Sequence, residues 1–176
     1  MSNIPMIDPA QAAEPIRALL AGIGKKLGFV PGLLRAMANS PATLRGYVQL
    51  REALASGALP MRIREQIAIA VAARNCCRGC LAAHDHFGRS AGLCENELAA
   101  ARHWQSGDPR AAAVLSFAHA VITEGGHLKA TEIEAARVAG LCDANIVEIA
   151  AAVGMNILTN LISNLAAIEP DFAETA

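Results

Sequence analysis

Two cysteines three residues apart, followed by a histidine, carry the clearest chemical content of this sequence. Cys77 and Cys80 belong to a C-x-x-C-x-x-x-H run that ends at His84, and Glu65 precedes the run by twelve residues. Two thiols this close can form a disulfide with each other, and a helix start is the usual carrier of such a pair. If Cys80 begins a helix, His84 lies one turn later on the same face. A helix N-terminus favours a thiolate, so this run predicts thiol redox chemistry.

A C-x-x-C pair on its own also suits zinc. A structural zinc site needs a second pair of ligands, and the other cysteines and histidines supply no compact second pair. His84 and His86 would complete a Cys₂His₂ set, but two residues apart on one helix they point about 200° from each other. Redox use, metal binding and an inert pair are therefore three interpretations of these cysteines.

Proton transfer is the second chemical element. An imidazole titrates near neutral pH, which makes His84 the first candidate and His86 its competitor. Glu65 lies beside Ile63 and Ile67 on a predicted helix. A lone glutamate there would usually face solvent or pair with an arginine. If it is instead buried beside a thiol and an imidazole, it could act as a base.

The other cysteines are expected to play no part in the chemistry. Cys76 points away from its neighbour, and Cys94 and Cys142, beside leucines near helix starts, are expected to be small buried hydrophobes. The N-terminus shows no export signal, and an odd number of cysteines, five, argues against a disulfide scaffold. We therefore expect a reducing, cytoplasmic setting.

The apolar residues recur with helical spacing almost throughout and never alternate as in a strand, which predicts an all-α domain. Ser40-Pro41 supplies an N-cap and a first-turn proline, and Pro60 opens the next helix, which carries Glu65. The cysteine run is the turn into another helix, which ends near Gly92.

The remaining elements follow from shorter signals. A first helix is predicted at about 9–20, before a glycine-rich loop that includes Gly22 and Gly24. Thr131-x-x-Glu134 has the form of a capping box. Residues 141–143 lead into a long final helix, and residues 169–176 are predicted to form a loose tail.

Composition narrows the class of protein. The chain has 176 residues, 53% hydrophobic and 18% charged, with a mean hydropathy of +0.32. That length suits one domain, and the alanine-rich excess predicts closely packed helices and surface hidden between subunits. A net charge of −1 and 3% aromatic residues disfavour nucleic-acid binding. Residues 146–165 are the most apolar segment, but four polar side chains favour a buried helix over a membrane span: Glu148, Asn156, Asn160 and Asn164.

As a whole, the constellation resembles the carboxymuconolactone decarboxylase-like superfamily, in its AhpD-like (alkylhydroperoxidase D) peroxidase-related branch. Glu65 and the run from Asn75 to His84 match the family's E…N-x-C-x-x-C-x-x-x-H core. The stretches 28–31, 40–41 and 59–60 and the asparagines of the final helix are also similar. The match is good over residues 28–92 and weaker towards the end of the chain.

This resemblance implies one AhpD-like helical domain over residues 1–176 that assembles into a symmetric homo-oligomer, a trimer or hexamer, with its site near subunit contacts. It implies an alkyl hydroperoxide reductase, an antioxidant enzyme. Cys80 would attack the hydroperoxide and become a sulfenic acid, and Cys77 would resolve it as a Cys77–Cys80 disulfide. Glu65 and His84 would form the proton relay.

The implied partners are an organic hydroperoxide and a dithiol reductant, such as a dihydrolipoyl-bearing protein. The sequence has no nucleotide or flavin fingerprint, so no cofactor is expected. One departure stands at Gly79, where some members carry a histidine and many relatives a tyrosine. The glycine removes a proton donor or packing group and leaves the redox pair intact.

Two alternatives use the same residues differently. A carboxymuconolactone decarboxylase-like lyase would act on a dianionic lactone without a cysteine pair, with Arg74, Arg78 and Arg89 as candidate contacts. A non-enzymatic redox sensor would oxidise once and change its binding. Turnover with hydroperoxide and dithiol distinguishes an enzyme from a sensor.

Overall fold

One helix, Met61–Arg74, lies at the centre of the fold and is buried on nearly every side. Ile67, Ile69 and Val71 are fully buried although they point in different directions around the axis. The stretch 67–72 of this helix is apolar all round, and such a stretch is stable only inside a core. The other elements therefore pack around this helix.

The computed structural model describes residues 2–173, and these form nine helices and no strand, as the all-α prediction requires. The helices are α1 (Ile16–Leu27), α2 (Gly32–Met37), α3 (Pro41–Ala55), α4 (Met61–Arg74), α5 (Arg78–Ser90), α6 (Glu95–Ala101), α7 (Pro109–Thr123), α8 (Ala130–Val138) and α9 (Asp143–Ala166).

Helix starts marked by a proline were predicted well. The Ser40 hydroxyl accepts a hydrogen bond from the Thr43 amide at 3.3 Å, and Pro41 is the first residue of α3. Asp108 caps α7 in the same way, accepting from the Ala111 amide at 2.8 Å. In each case the cap satisfies an amide that has no partner within the helix.

The prediction for the first helix is wrong by seven residues at each end, which is about two turns. Gly22 and Gly24 lie inside α1, and the helix ends at Gly28, whose φ of +82° is the left-handed conformation of a C-terminal cap. A glycine inside a helix costs about 1 kcal/mol relative to alanine. Burial of Ile16 and Leu20 on one face of α1 offsets that cost.

The predicted capping box is displaced by two residues. Glu132, not Glu134, reaches back to the first turn of α8, where it accepts from the Lys129 amide at 2.9 Å. Glu134 instead pairs with Arg137 on the surface. Two glutamates in the same turn make the register ambiguous from sequence.

The core has two main parts. Apolar residues of α4, α7 and α9 form the larger cluster, which includes Ile67, Leu115 and Ile149. Residues of α1, α2 and α3 form a second cluster around Leu20 and Leu44. Helix α9 contacts α2 and α3 as well as α4, α5 and α7, so it joins the two clusters.

Helix α9 is long and apolar enough, by length and composition, to cross a membrane, which is weak evidence because core helices pass the same test. Asn156 and Asn160 are buried on its inner face. Its outer face exposes Val147, Leu161 and Leu165, each more than half accessible in the single chain.

A carboxylate on α9 holds the connection between α3 and α4. Glu148 accepts hydrogen bonds from the amides of Ala58 at 2.8 Å and Leu59 at 3.0 Å. A Cβ on Gly57 would lie only 2.6 Å from the same carboxylate, so a side chain there would force Glu148 to shift. This contact fixes where α4 begins.

We expect Glu148→Ala to lower the free energy of unfolding by about 1–3 kcal/mol, because two amides lose a charged acceptor. Glu148→Gln, which keeps one carbonyl oxygen, should lose less. Urea unfolding at a fixed protein concentration measures both variants. Equal midpoints for Glu148→Ala and the wild type would show that the contact contributes nothing.

Candidate active site

The cysteine pair lies at the junction of α4 and α5. Cys77 is the N-cap residue of α5 and Cys80 is in its first turn, as the sequence predicted. The two residues form a disulfide with their Cα atoms 5.3 Å apart. Both are buried, with Cys77 1% and Cys80 7% exposed. Cys80 also lines a cavity, so it is the sulfur of the pair that a small molecule can reach.

A tight helix end sets up this junction. After α4, the Cys76 amide donates to the Ala73 carbonyl and the Cys77 amide to the Ala72 carbonyl, the two bonds of a Schellman motif. Cys76 takes the left-handed position, with a φ of +51°, where glycine is customary. Its exposed thiol points away from the pair, as expected.

Asparagines fasten the same turn to α9. The Asn75 side-chain amide donates to Asn160 Oδ1 at 3.0 Å, and the Asn164 side-chain amide donates to the Asn75 carbonyl at 3.1 Å. Asn160 is fully buried. These bonds explain why asparagines recur on an otherwise apolar helix: they position the residues that lead into Cys77.

Glu65 and His84 form a hydrogen-bonded pair across α4 and α5. The distance from His84 Nδ1 to Glu65 Oε2 is 2.7 Å, and both side chains are mostly buried. With the carboxylate ionised, Nδ1–H is the donor, which leaves Nε2 for proton exchange. The structure thus brings together all four predicted residues: Cys77, Cys80, Glu65 and His84.

The cavity at this site has a volume of about 250 Å³ and borders the second core cluster through residues such as Leu34. Its wall comes from α1, α2, α3, α4, α5, α9 and the segment after α9, and most of it is apolar. The charged groups in the wall are four carboxylates and two cations: Glu52, Glu65, Glu169, Asp171, Lys26 and Arg51. Such a wall favours a neutral, largely apolar ligand.

Tyr47 is a cavity residue that the sequence did not reveal. Burial raises the pKa of its phenol, the charge of Arg51 opposes this, and the charge of Glu65 adds to it. The phenol is therefore protonated at neutral pH and offers a hydrogen-bond donor to the cavity. Its position on α3 is far in sequence from the cysteine run, so only packing places it here.

Several expectations for other residues are corrected. Cys94 and Cys142 are exposed, not buried, because each is the N-cap residue of a helix.

Residues 169–172 are not a loose tail, since Asp171 accepts from the Gly32 amide at 2.9 Å. The predicted tail residues 174–176 lie outside the described part of the chain. His86 stacks on Phe172 with ring centroids 4.6 Å apart, away from the Glu65–His84 pair.

Metal binding was one interpretation of the cysteines. Within residues 2–173, no three or more His, Cys, Asp or Glu side chains are grouped as metal ligands. The two cysteines are instead bonded to each other.

Comparison with known proteins agrees with this architecture. The sequence profile of the carboxymuconolactone decarboxylase family matches residues 41–121. The structure is similar to the alkylhydroperoxidase AhpD core of an uncharacterized peroxidase-related protein from Ralstonia eutropha JMP134, with 27% identity, a TM-score of 0.86 and coverage of 97% of this chain and 92% of that one. An uncharacterized peroxidase-related protein from Silicibacter sp. TM1040 gives 25% identity, a TM-score of 0.82 and coverage of 96% and 90%.

A third similar structure is the debrominase Bmp8 with bound 2,3,4-tribromopyrrole, at 19% identity, a TM-score of 0.77 and coverage of 97% and 94%. At that identity the likeness concerns the fold alone. A search of curated proteins gives no significant match. The family match over residues 41–121 and the likeness to two peroxidase-related proteins support a place for this chain in the carboxymuconolactone decarboxylase/AhpD-like superfamily.

Cys76→Gly is expected to raise the free energy of unfolding by about 0.5–1 kcal/mol, because glycine adopts the left-handed conformation without steric cost. Cys76→Val should lower it, since a β-branched residue is least tolerated there. Chemical denaturation of both oxidised variants makes the comparison. A stabilising valine would contradict the assigned backbone conformation.

Proposed function

We propose that this protein is a thiol-dependent alkyl hydroperoxide reductase. The observation that carries the proposal is that Cys80, disulfide-linked to Cys77, lines the same cavity as the Glu65–His84 pair. A nucleophile, a resolving thiol and a proton-transfer group thus meet one largely apolar binding space. This is the equipment that reduction of an organic hydroperoxide needs.

In the first step, the Cys80 thiolate attacks the terminal oxygen of the hydroperoxide. The S–O bond forms as the O–O bond breaks, sulfur is oxidised to sulfenic acid, and the alkoxide leaves. The first turn of α5 favours the thiolate through its unpaired amides. His84 takes the thiol proton at Nε2 and returns it to the alkoxide, which leaves as the alcohol.

In the second step, the Cys77 thiolate attacks the Cys80 sulfur. The S–S bond forms, the S–O bond breaks, and hydroxide leaves as water after protonation. The pair then holds the disulfide that is seen in the structure. Cys77 lies at the N-cap of α5 and Cys80 in its first turn, with their Cα atoms 5.3 Å apart in the bonded state.

Glu65 acts on His84. Its carboxylate accepts from Nδ1–H at 2.7 Å, which selects the tautomer with a basic Nε2 and stabilises the imidazolium when that atom takes a proton. Glu65 is thus a positioning residue, and His84 is the group that exchanges protons with the reactants.

Electrons return from a dithiol. One thiolate of the reductant attacks Cys80, and Cys77 leaves as a thiolate from the mixed disulfide that forms. The second reductant thiolate then attacks the reductant sulfur of that mixed disulfide, and Cys80 leaves as a thiolate while the reductant becomes a disulfide. Cys77 is too buried for direct attack. A dithiol on a flexible arm, such as a dihydrolipoyl group, suits a sulfur at the bottom of a cavity, and the cytoplasm would supply it.

The charge of the cavity favours this activity over the lyase alternative. Four carboxylates and two cations line the wall, which would repel a dianionic lactone. Arg74, Arg78 and Arg89 do not line the cavity, and Arg89 pairs with Glu95 at 2.6 Å. A neutral alkyl hydroperoxide meets no such repulsion.

The proposal extends to the assembly. We place residues 1–176 in one domain, and a homo-oligomer would cover the outer face of α9, where Val147, Leu161 and Leu165 are exposed. The resemblance favours a trimer or hexamer. Burial of this face between copies would also account for the high mean hydropathy.

Cys80→Ser should abolish hydroperoxide consumption, because the attacking thiol is lost. Cys77→Ser should consume one equivalent and stop at a sulfenic acid on Cys80, trapped by dimedone and located by mass spectrometry. Peroxide loss is followed with and without dihydrolipoamide. Full turnover by Cys80→Ser would refute the assignment, and a single oxidation of the wild type without recycling would indicate a redox sensor.

Glu65→Gln should slow peroxide turnover roughly tenfold to 100-fold, because glutamine keeps an acceptor oxygen but lacks the negative charge that stabilises the His84 imidazolium. Disulfide formation should still go to completion. Glu134→Gln, which removes a glutamate paired with a cation on the surface, is the matched control and should keep the wild-type rate. Equal rates for the two variants would remove Glu65 from the relay.

A further inference from the structure

The segment that follows α9 covers the cysteine site. Residues 168–172, here called the C-terminal strap, contribute Ile168, Glu169, Asp171 and Phe172 to the wall of the cavity that Cys80 lines. The strap begins where Ala167 ends α9 in a left-handed cap and turns the chain back over α5. Access to Cys80 therefore depends on where the strap lies.

An aromatic cluster holds the outer end of the strap. The Phe172 ring stacks on His86 with centroids 4.6 Å apart and meets Phe87 and Phe29 edge-on at 5.4 and 5.6 Å. Phe87 itself lines the cavity. Phe172 thus connects the cavity wall on α5 to the loop before α2, and offset or edge-on aromatic pairs of this kind are attractive.

A hydrogen bond and an apolar contact hold the strap to α2. The Asp171 carboxylate accepts from the Gly32 amide at 2.9 Å, at the first residue of α2. Ile168 lies so close to Gly32 that a Cβ there would be 3.0 Å from its Cγ2 atom. Asp171 is exposed, so its bond competes with water and opens at little cost.

Gly79, between the two cysteines, is the residue that makes room for the strap. A Cβ built on Gly79 would lie 3.6 Å from the Ile168 carbonyl oxygen and 3.7 Å from Pro170 Cα. Those are ordinary contacts, so alanine would fit, but atoms beyond Cβ would meet the strap backbone. The strap thus occupies the space that a larger side chain at position 79 would need.

We propose that the C-terminal strap determines the size of the substrate at Cys80, with Phe172 as the limiting side chain. A cavity of about 250 Å³ is below the usual size of small-molecule sites, about 300–1,000 Å³. The closed strap admits compact, uncharged hydroperoxides with an apolar or aromatic group. Larger ones reach Cys80 only when the strap moves away. The substrate class rests on the proposed function, whereas the control of access does not.

The first test measures access to the thiol without any peroxide. The reduced protein is alkylated with iodoacetamide or with the bulkier N-(1-pyrenyl)maleimide, and the modification of Cys80 is timed by peptide mass spectrometry. Phe172→Ala should speed the bulky reagent about fivefold to tenfold, the shift expected from losing these aromatic contacts, and should change the small one less than about twofold. Phe172→Leu, which keeps an apolar side chain, should fall between.

The second test asks whether position 79 and the strap exclude each other. Gly79→Tyr should displace the strap and so speed hydrogen exchange of the Gly32 amide, which loses Asp171 as its acceptor. Gly79→Ala, whose Cβ makes only ordinary contacts, should leave that exchange unchanged. Asp171→Ala supplies the fully released reference and alters only an exposed side chain.

The third test compares kcat/KM for cumene hydroperoxide and the hydroperoxide of methyl linoleate. Phe172→Ala should raise the value for the larger substrate selectively. If the ratio of Cys80 alkylation rates by the small and the bulky reagent is the same in the wild type and in Phe172→Ala, and peroxide turnover is intact, the strap does not control access. The proposed peroxidase activity would then still hold. If that ratio changes in Phe172→Ala but neither peroxide is turned over, the proposed peroxidase activity is rejected. Control of access to Cys80 by the strap would then still hold.

Discussion

The packing of α5 against the buried helix α4 is the constraint on which the rest of this structure depends. Because α4 is enclosed on nearly every side, its end has to be tight, and the Schellman motif through Cys76 delivers the chain directly into α5. The same packing places Glu65 and His84 at 2.7 Å, although nineteen residues separate them. The pair of helices thus fixes the thiols and the proton-transfer group together.

Helix α9 supports that pair of helices in two ways. Two of its asparagines, the buried Asn160 and the exposed Asn164, bond to Asn75, which precedes the cysteines, and Glu148 on the same helix holds the loop that starts α4. Polar side chains inside an apolar helix cost stability unless they are satisfied. Here they fix the two ends of α4, and so they account for a segment that by composition resembles a membrane span.

The site combines a rigid floor with a more loosely held cover. The floor is the disulfide-bonded turn and the Glu65–His84 pair, on helices that share a core. The cover is the C-terminal strap, held by an exposed hydrogen bond and an aromatic cluster. Under the proposed function, an arrangement of this kind would keep the reacting groups in register while reactants of different size enter and leave.

The sequence by itself determined the all-helical class, the proline-marked helix starts and the grouping of Cys77, Cys80 and His84, because these follow from local spacing. Glu65 was a weaker candidate, suggested by its distance to the cysteine run and strengthened by the resemblance, since nothing in its own neighbourhood distinguishes it from a surface glutamate. Tertiary structure alone decided that Tyr47 and the C-terminal strap lie at the cavity. Some of their contacts join residues more than a hundred positions apart, as between Asp171 and Gly32. Packing between helices sets such contacts, and helical periodicity within one segment does not reveal them.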